Sequence, residues 1–260
     1  MHRIALILLC LSLAAVSQTK PKKAATGAAP KAAASAKASE AIIHTTSGDM
    51  KCTLFPDQAP KAVASFIGLA NGTKPWKNPA GKLVQGKPLY DGVIFHRVIP
   101  GFMIQAGDPA NGPGSDVGFE FADELHADLL FDKPGRLAMA NHGPNTNSSQ
   151  FFITEKEVSF LNPCLQEGGC PELRRPKNTG YTIFGQCDDS TVELVKKIAR
   201  MPCTLGPVCD DHNSKLQTPV TIKHVEIVKA GKSSAAKPAA KSPTPAKPKA
   251  TTAPKSSAPN

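Results

Sequence analysis

The stretch Tyr90-Asp91-Gly92-Val93-Ile94-Phe95-His96-Arg97-Val98-Ile99-Pro100-Gly101-Phe102-Met103-Ile104-Gln105-Ala106-Gly107-Asp108 decides the fold. It reads as two short strands, Val93 to Val98 and Phe102 to Ala106, joined through Pro100-Gly101. A second stretch, Gly135-Arg136-Leu137-Ala138-Met139-Ala140-Asn141-His142-Gly143-Pro144-Asn145-Thr146-Asn147-Ser148-Ser149-Gln150-Phe151-Phe152-Ile153-Thr154, gives two more, Leu137 to Ala140 and Gln150 to Thr154. Working outward, Ile42 to Thr46 and the alternating Met50, Cys52 and Leu54 form strands around the turn Ser47-Gly48-Asp49. Tyr181 to Phe184 and Val220 to Val228 complete eight strands. Pro60 opens a helix that presents Val63, Phe66, Ile67 and Ala70 on one face and stops at Asn71-Gly72. Thr191 to Arg200 is a second helix, with Val192, Val195, Ile198 and Ala199 turned inward. Eight short strands and two helices with Gly/Pro-rich connections predict a mainly β fold, a closed eight-stranded antiparallel β-barrel capped by two α-helices.

The common catalytic signatures are missing. There is no G-x-S-x-G, H-E-x-x-H, Walker loop or C-x-x-C. Gly112, Gly114 and Gly118 only loosely imitate a dinucleotide loop and read as a turn. Taken alone, Arg97 reads as a surface charge, and Phe102, Met103 and Phe152 read as core. His96 reads as a packing histidine rather than a general base.

Together, however, the two long stretches put large apolar side chains beside one guanidinium and several amides. They resemble the signature of the cyclophilin family of peptidyl-prolyl isomerases, bacterial exported type. The resemblance continues through Phe160-Leu161-Asn162 and Gly180-Tyr181-Thr182-Ile183-Phe184-Gly185 and covers essentially 41–229. It implies that Arg97 is the donor facing the reacting amide. Phe102, Met103, Phe152 and Leu161 form the floor and walls of a proline pocket. Gln105 orients Arg97 and contacts the substrate, Asn141 grips the substrate backbone, and Ala140 and Gln150 line the neighbouring subsite. Phe160 stands where eukaryotic members usually carry Trp, and Tyr181 where many carry His. His142 stands beside the groove where Ala is common. A proline-peptide binding module without catalysis is the rival reading, and the retention of Arg97, Phe102, Gln105 and Phe152 argues against it.

The implied reaction explains the missing signatures. Rotation about an X–Pro bond has a barrier of about 18–20 kcal/mol and takes tens to hundreds of seconds uncatalysed. No covalent bond breaks, so the chemistry calls for no nucleophile, metal or cofactor. The enzyme need only bind the twisted amide better than either planar form. Its partners are proline-containing polypeptides.

The ends of the chain have a different composition. Residues 1–17 read as a secretory signal peptide, with Arg3, an apolar run from Ile4 to Leu13, and Ala15-Val16-Ser17 before Gln18. The run is too short for a stable membrane anchor, so no transmembrane span is expected after processing. Residues 18–40 and 230–260 lack Ile, Leu, Val, Phe, Tyr and Trp, and read as a linker and a basic tail without a core. The chain carries 31 Lys+Arg against 21 Asp+Glu, but 12 of the bases lie in residues 1–39 and 230–260. Residues 40–229 are left with 19 bases against 21 acids. That excludes a basic nucleic-acid-binding core and makes the tails the expected contact for anionic envelope polymers. The expected location is exported, periplasmic or secreted.

Six cysteines remain beyond the signal. Cys164/Cys170 and Cys203/Cys209 share C-x5-C spacing in polar loops and read as disulfides. The first pair lies in an insertion, Pro163 to Thr179, that breaks the family pattern. Cys52 reads as a core thiol, with Cys187 as its alternative partner. Zinc at Cys209 and His212 is the competing reading, and no metal site is expected.

Overall fold

The computed structural model describes residues 39–112 and 114–229. The signal peptide, residues 18–38 of the linker and the 230–260 tail lie outside the described residues. Ten strands lie among the described residues: β1 (Ser39–Thr45), β2 (Gly48–Leu54), β3 (Trp76–Lys77), β4 (Leu83–Val84), β5 (Arg97–Ile99), β6 (Met103–Ala106), β7 (Arg136–Met139), β8 (Phe151–Thr154), β9 (Ile183–Cys187) and β10 (Ile222–Lys229). Two helices, α1 (Pro60–Ala70) and α2 (Asp189–Ala199), join them. β1 takes in Ser39 and Glu40, which the sequence assigned to the linker. The hairpin β3–β4 is an addition that two-residue strands do not announce by periodicity.

Eight strands form one antiparallel sheet in the order β10-β1-β2-β9-β7-β8-β6-β5. The fold is therefore mainly β with two helices, but the expected closed barrel is corrected to an open, curled sheet. Its edge strands β5 and β10 share no ladder. The gap is bridged by the irregular chain ahead of β5 against Val220 and the first residue of β10: Gly92 N donates to Ile222 O, Ile222 N to Val93 O and Phe95 N to Val220 O.

At β7 and β8 the sheet is buried on both faces, so burial there is uninterrupted, whereas β2 alternates buried and exposed residues. One face of each strand enters the main core: Val98, Ile104, Ala106, Leu137, Met139, Phe151 and Ile153. The alternate residues Ile99, Met103, Ala138 and Phe152 enter a second cluster with Phe131, Val158, Leu161 and Ile183.

α1 covers the main core. Pro60 sits in its first turn, and the Glu124 carboxylate accepts from Lys61 N and Ala62 N at 3.0 and 2.9 Å, satisfying donors that a helix start leaves free. Phe66 is completely buried, with its ring centroid 5.2–5.5 Å from those of Tyr90, Phe151 and Phe184. α2 starts two residues earlier than its apolar pattern predicts, because the Asp188 side chain caps it by accepting from Thr191 N at 2.8 Å.

Disulfides join Cys52 to Cys187, Cys164 to Cys170 and Cys203 to Cys209. The first links directly opposed residues of β2 and β9, so the core-thiol reading of Cys52 gives way to its alternative. Cys209, the ligand of the zinc reading, is thereby engaged with Cys203. No helix among the described residues is long and apolar enough to cross a membrane.

Truncating Phe66 to Ala removes the ring that unites these aromatic contacts and should cost about 3–5 kcal/mol. Thermal unfolding should fall by at least about 6 °C, at roughly 2–4 °C per kcal/mol for a domain of this size. The exposed Leu205 is the control, and Leu205→Ala should leave the melting temperature nearly unchanged. A similar shift for both would contradict this account of the core.

Candidate active site

The second apolar cluster borders a recess of about 210 Å³ that opens to solvent. β5, β6 and β8 set its geometry through register. Gln105 lies opposite Arg97 on one side and Phe152 on the other. Period-two alternation then points Met103, Gln105 and Phe152 to the same face, away from the main core. Ten of the twelve residues singled out from the sequence for catalysis or substrate binding line this recess: Arg97, Phe102, Met103, Gln105, Ala140, Asn141, His142, Phe152, Leu161 and Tyr181.

The apolar part is preorganised. The Phe152 ring stacks on buried Phe131, with centroids 5.8 Å apart and planes 12° from parallel. Tyr181 meets Phe152 edge-on at 5.7 Å. Met103 and Leu161 are almost wholly buried beneath the opening. Phe131 was not singled out from the sequence, since nothing near it in the chain marks it as part of the site.

The polar part has one exposed charge and one buried chain of hydrogen bonds. The Arg97 side chain is 40% exposed, and its guanidinium carbon lies 5.9 Å from the Phe102 ring centroid. Its carboxylate neighbour is Asp211, at 3.8 Å and 74% exposed. A pair so open to water is weak, so the guanidinium is only loosely engaged.

Gln105 does not hold Arg97 by a hydrogen bond among the described residues. Its amide Nε2 donates to Gln150 Oε1 at 2.8 Å, and Gln150 Nε2 donates to Asp108 Oδ2 at 2.9 Å. The role expected for Gln105 in orienting Arg97 is therefore limited to opposition across the β5–β6 ladder. Gln150, expected to line a neighbouring subsite, stands behind the recess and ties Gln105 to Asp108.

Asp108 ends the chain. It is 1% exposed and accepts from Ala110 N, Gly114 N, Ser115 N and Ser115 Oγ at 2.6–2.9 Å. Burial pushes its carboxyl up, but these donors outweigh it and hold the group below the usual carboxylate range. The neighbouring Gly107 has φ +97°, and a Cβ there would lie 2.5 Å from Ser149 O. Only glycine lets β6 leave the sheet so close to the start of β8.

His96 is buried, and burial lowers its proton affinity despite the opposing field of Asp108. Neither ring nitrogen has a hydrogen-bond partner among the described residues. It packs, as its sequence context suggested. Asn141 donates from its side chain to Gly180 O and Asp123 Oδ1 at 3.3 and 3.4 Å.

Phe160 is 54% exposed and stands outside the recess. Its ring packs on Phe102 with centroids 5.4 Å apart, and it lines the adjoining recess with Asp211.

Comparison with known proteins gives the arrangement a family. Residues 41–227 match the model for cyclophilin type peptidyl-prolyl cis-trans isomerase/CLD. Peptidyl-prolyl cis-trans isomerase A of Mycobacterium tuberculosis is 43% identical over 187 residues, covering 72% of this chain and 91% of that protein. Peptidyl-prolyl cis-trans isomerase B of Streptomyces anulatus is 50% identical over 164 residues, covering 62% of this chain and 84% of that one. The crystal structure of a Cryptosporidium parvum cyclophilin type isomerase superposes with a TM-score of 0.54 at 31% identity, covering 73% of this chain and 97% of its own. An open recess with an apolar floor, a loosely engaged guanidinium and a buried amide chain thus sits in a chain that belongs to the cyclophilin-type peptidyl-prolyl cis-trans isomerase family.

Proposed function

We propose that this isomerase accelerates X–Pro rotation by stabilising the twisted amide with Arg97 while the proline ring rests on the apolar floor. The observation that carries the reading is the position of Arg97 on the rim of the recess that Phe102, Met103, Phe152 and Leu161 line. Twisting removes amide resonance and leaves the nitrogen a better hydrogen-bond acceptor. A guanidinium set over an apolar surface supplies the donor where water is partly excluded and its charge counts for more. Gln105, held by Gln150 and Asp108, gives the flanking peptide a fixed polar contact, so little side-chain freedom is lost on binding.

Arg97→Ala should fold and lose about 10²–10³-fold in kcat/KM, the usual cost of one such donor. Arg97→Lys should recover little, since an ammonium lacks the planar fork. The measurement is a protease-coupled isomerisation assay, with a thermal melt to confirm folding. A folded Arg97→Ala variant with wild-type rate removes this mechanism.

The substrates we propose are exported polypeptides with X–Pro bonds still to isomerise. Support comes from the signal-like segment 1–17 and the three disulfides, which suit an oxidising compartment. The lysines of residues 18–39 and 230–260 are proposed to hold the protein to anionic envelope polymers. Mass spectrometry of the native protein should find a chain that starts at Gln18 and resists alkylation at all six remaining cysteines. A wash at about 0.5 M salt should release it from the envelope fraction, because the Debye length is then only a few ångströms. A chain that keeps Met1, or alkylates freely without reductant, contradicts the export reading.

A further inference from the structure

Beside the proline recess lies a second one of about 270 Å³, whose lining includes Asn141, Pro144, Arg175, Thr179 and Tyr181. Asn141 and Tyr181 line both recesses, so the two adjoin across these side chains. Arg175, Pro176 and Thr179 of the second lining belong to the 163–179 insertion, and that insertion is firmly built. Cys164 is joined to Cys170. Cys164 N donates to Thr179 O at 2.8 Å and Asn178 N to Cys164 O at 2.7 Å, while Cys170 and Arg175 exchange backbone bonds of 2.8 and 3.1 Å. Gly169 has φ +90°, and a Cβ there would meet Arg175 O at 2.7 Å. The loop thus closes tightly on Arg175.

This frame holds the Arg175 side chain in place. Its guanidinium carbon lies 5.6 Å from the Tyr181 ring centroid, and Nη1 donates to Asn162 O at 3.4 Å. Arg175 is half-buried and belongs to none of the ion pairs among the described residues, whereas its neighbour Lys177 is paired with Glu167. Asp123, the carboxylate linked to this recess through Asn141, already accepts from Asn147 Nδ2 and Asn145 N at 2.7 and 2.9 Å. A guanidinium carries five N–H donors, so Arg175 retains most of them.

We propose that this second recess is a specificity subsite for an acidic side chain, Asp or Glu, of the same polypeptide whose proline occupies the first recess. The inference rests on the reading of the first recess as the proline site. The Tyr181 ring beneath it and the bond to Asn162 restrain the guanidinium before the substrate arrives, which reduces the ordering cost of binding. Its planar fork matches a carboxylate. The recesses share Asn141 and Tyr181 in their linings, so the acid belongs close to the proline in the same segment.

The test uses the full chain and blocked peptides with one X–Pro bond and a single Glu or Gln at each flanking position in turn. Dissociation constants are measured by fluorescence anisotropy and isomerisation rates by the coupled assay. The quantity compared is the Glu-to-Gln ratio, in which any general loss of activity cancels. Wild type should prefer Glu by about two- to fivefold at one position, the range of a partly exposed ion pair. The preference should shrink near 0.5 M salt. Arg175→Met keeps an apolar stem but should bring the ratio to one, whereas Arg175→Lys should retain part of it. A ratio of one at every position in wild type, or an unchanged ratio in a folded Arg175→Met variant, overturns the subsite. Accelerated rotation with a flat ratio defeats the subsite alone. An Arg175-dependent preference in binding without any acceleration supports the subsite and defeats the isomerase reading.

Discussion

The site depends on the register of three short strands. β6 runs between β5 and β8, and Gln105 on it faces Arg97 on one side and Phe152 on the other. A slip of one residue would exchange the two faces of β6. Ile104 would leave the main core, and Gln105 would enter it without a partner. Two buried faces make that exchange costly, because each strand has apolar residues committed to both clusters. The register that packs the sheet is therefore also the register that brings guanidinium, amide and aromatic ring to one opening.

Behind that opening, the polar groups are graded by burial. Arg97 is exposed enough to meet a substrate, Gln105 lies at the wall, and Gln150 and Asp108 are buried. Asp108 is stabilised by donors from the loop that follows β6. The loop's fold is thus communicated to the recess through two amide side chains. In the proposed mechanism no group of this chain gains or loses a proton as the amide rotates. That agrees with a buried His96 whose surroundings disfavour the charged form.

Much of this was legible in the sequence, and for identifiable reasons. The strands around Arg97 to Ala106 and Leu137 to Thr154 carry both β-type composition and a long family motif, and ten motif residues converge on one recess. Boundaries set by capping were less legible, as with the Asp188 cap that starts α2 early. Closure of the sheet was misjudged because irregular chain, not a ladder, spans the gap between β5 and β10. Asp108 stood in the quoted stretch, but its partners come from a loop and from β8's approach, which no spacing rule connects. Asp211 and Phe131 reach the site only through tertiary packing. Phe160, which the resemblance leads one to expect in the pocket, has its ring outside the recess against Phe102. The 163–179 insertion had no family pattern to read, and its wall of the second recess emerged only in three dimensions.

In the proposed mechanism a guanidinium at the rim of an apolar floor lowers the rotation barrier without proton transfer. The most direct measurement is kcat/KM on a blocked X–Pro peptide from about pH 5 to 9, in H₂O and in D₂O, since a catalytic acid or base titrates within that range. A guanidinium does not titrate there. The account predicts a flat profile and no isotope effect beyond the difference in solvent viscosity. A bell-shaped profile with a marked solvent isotope effect would show a proton in flight, and would contradict it.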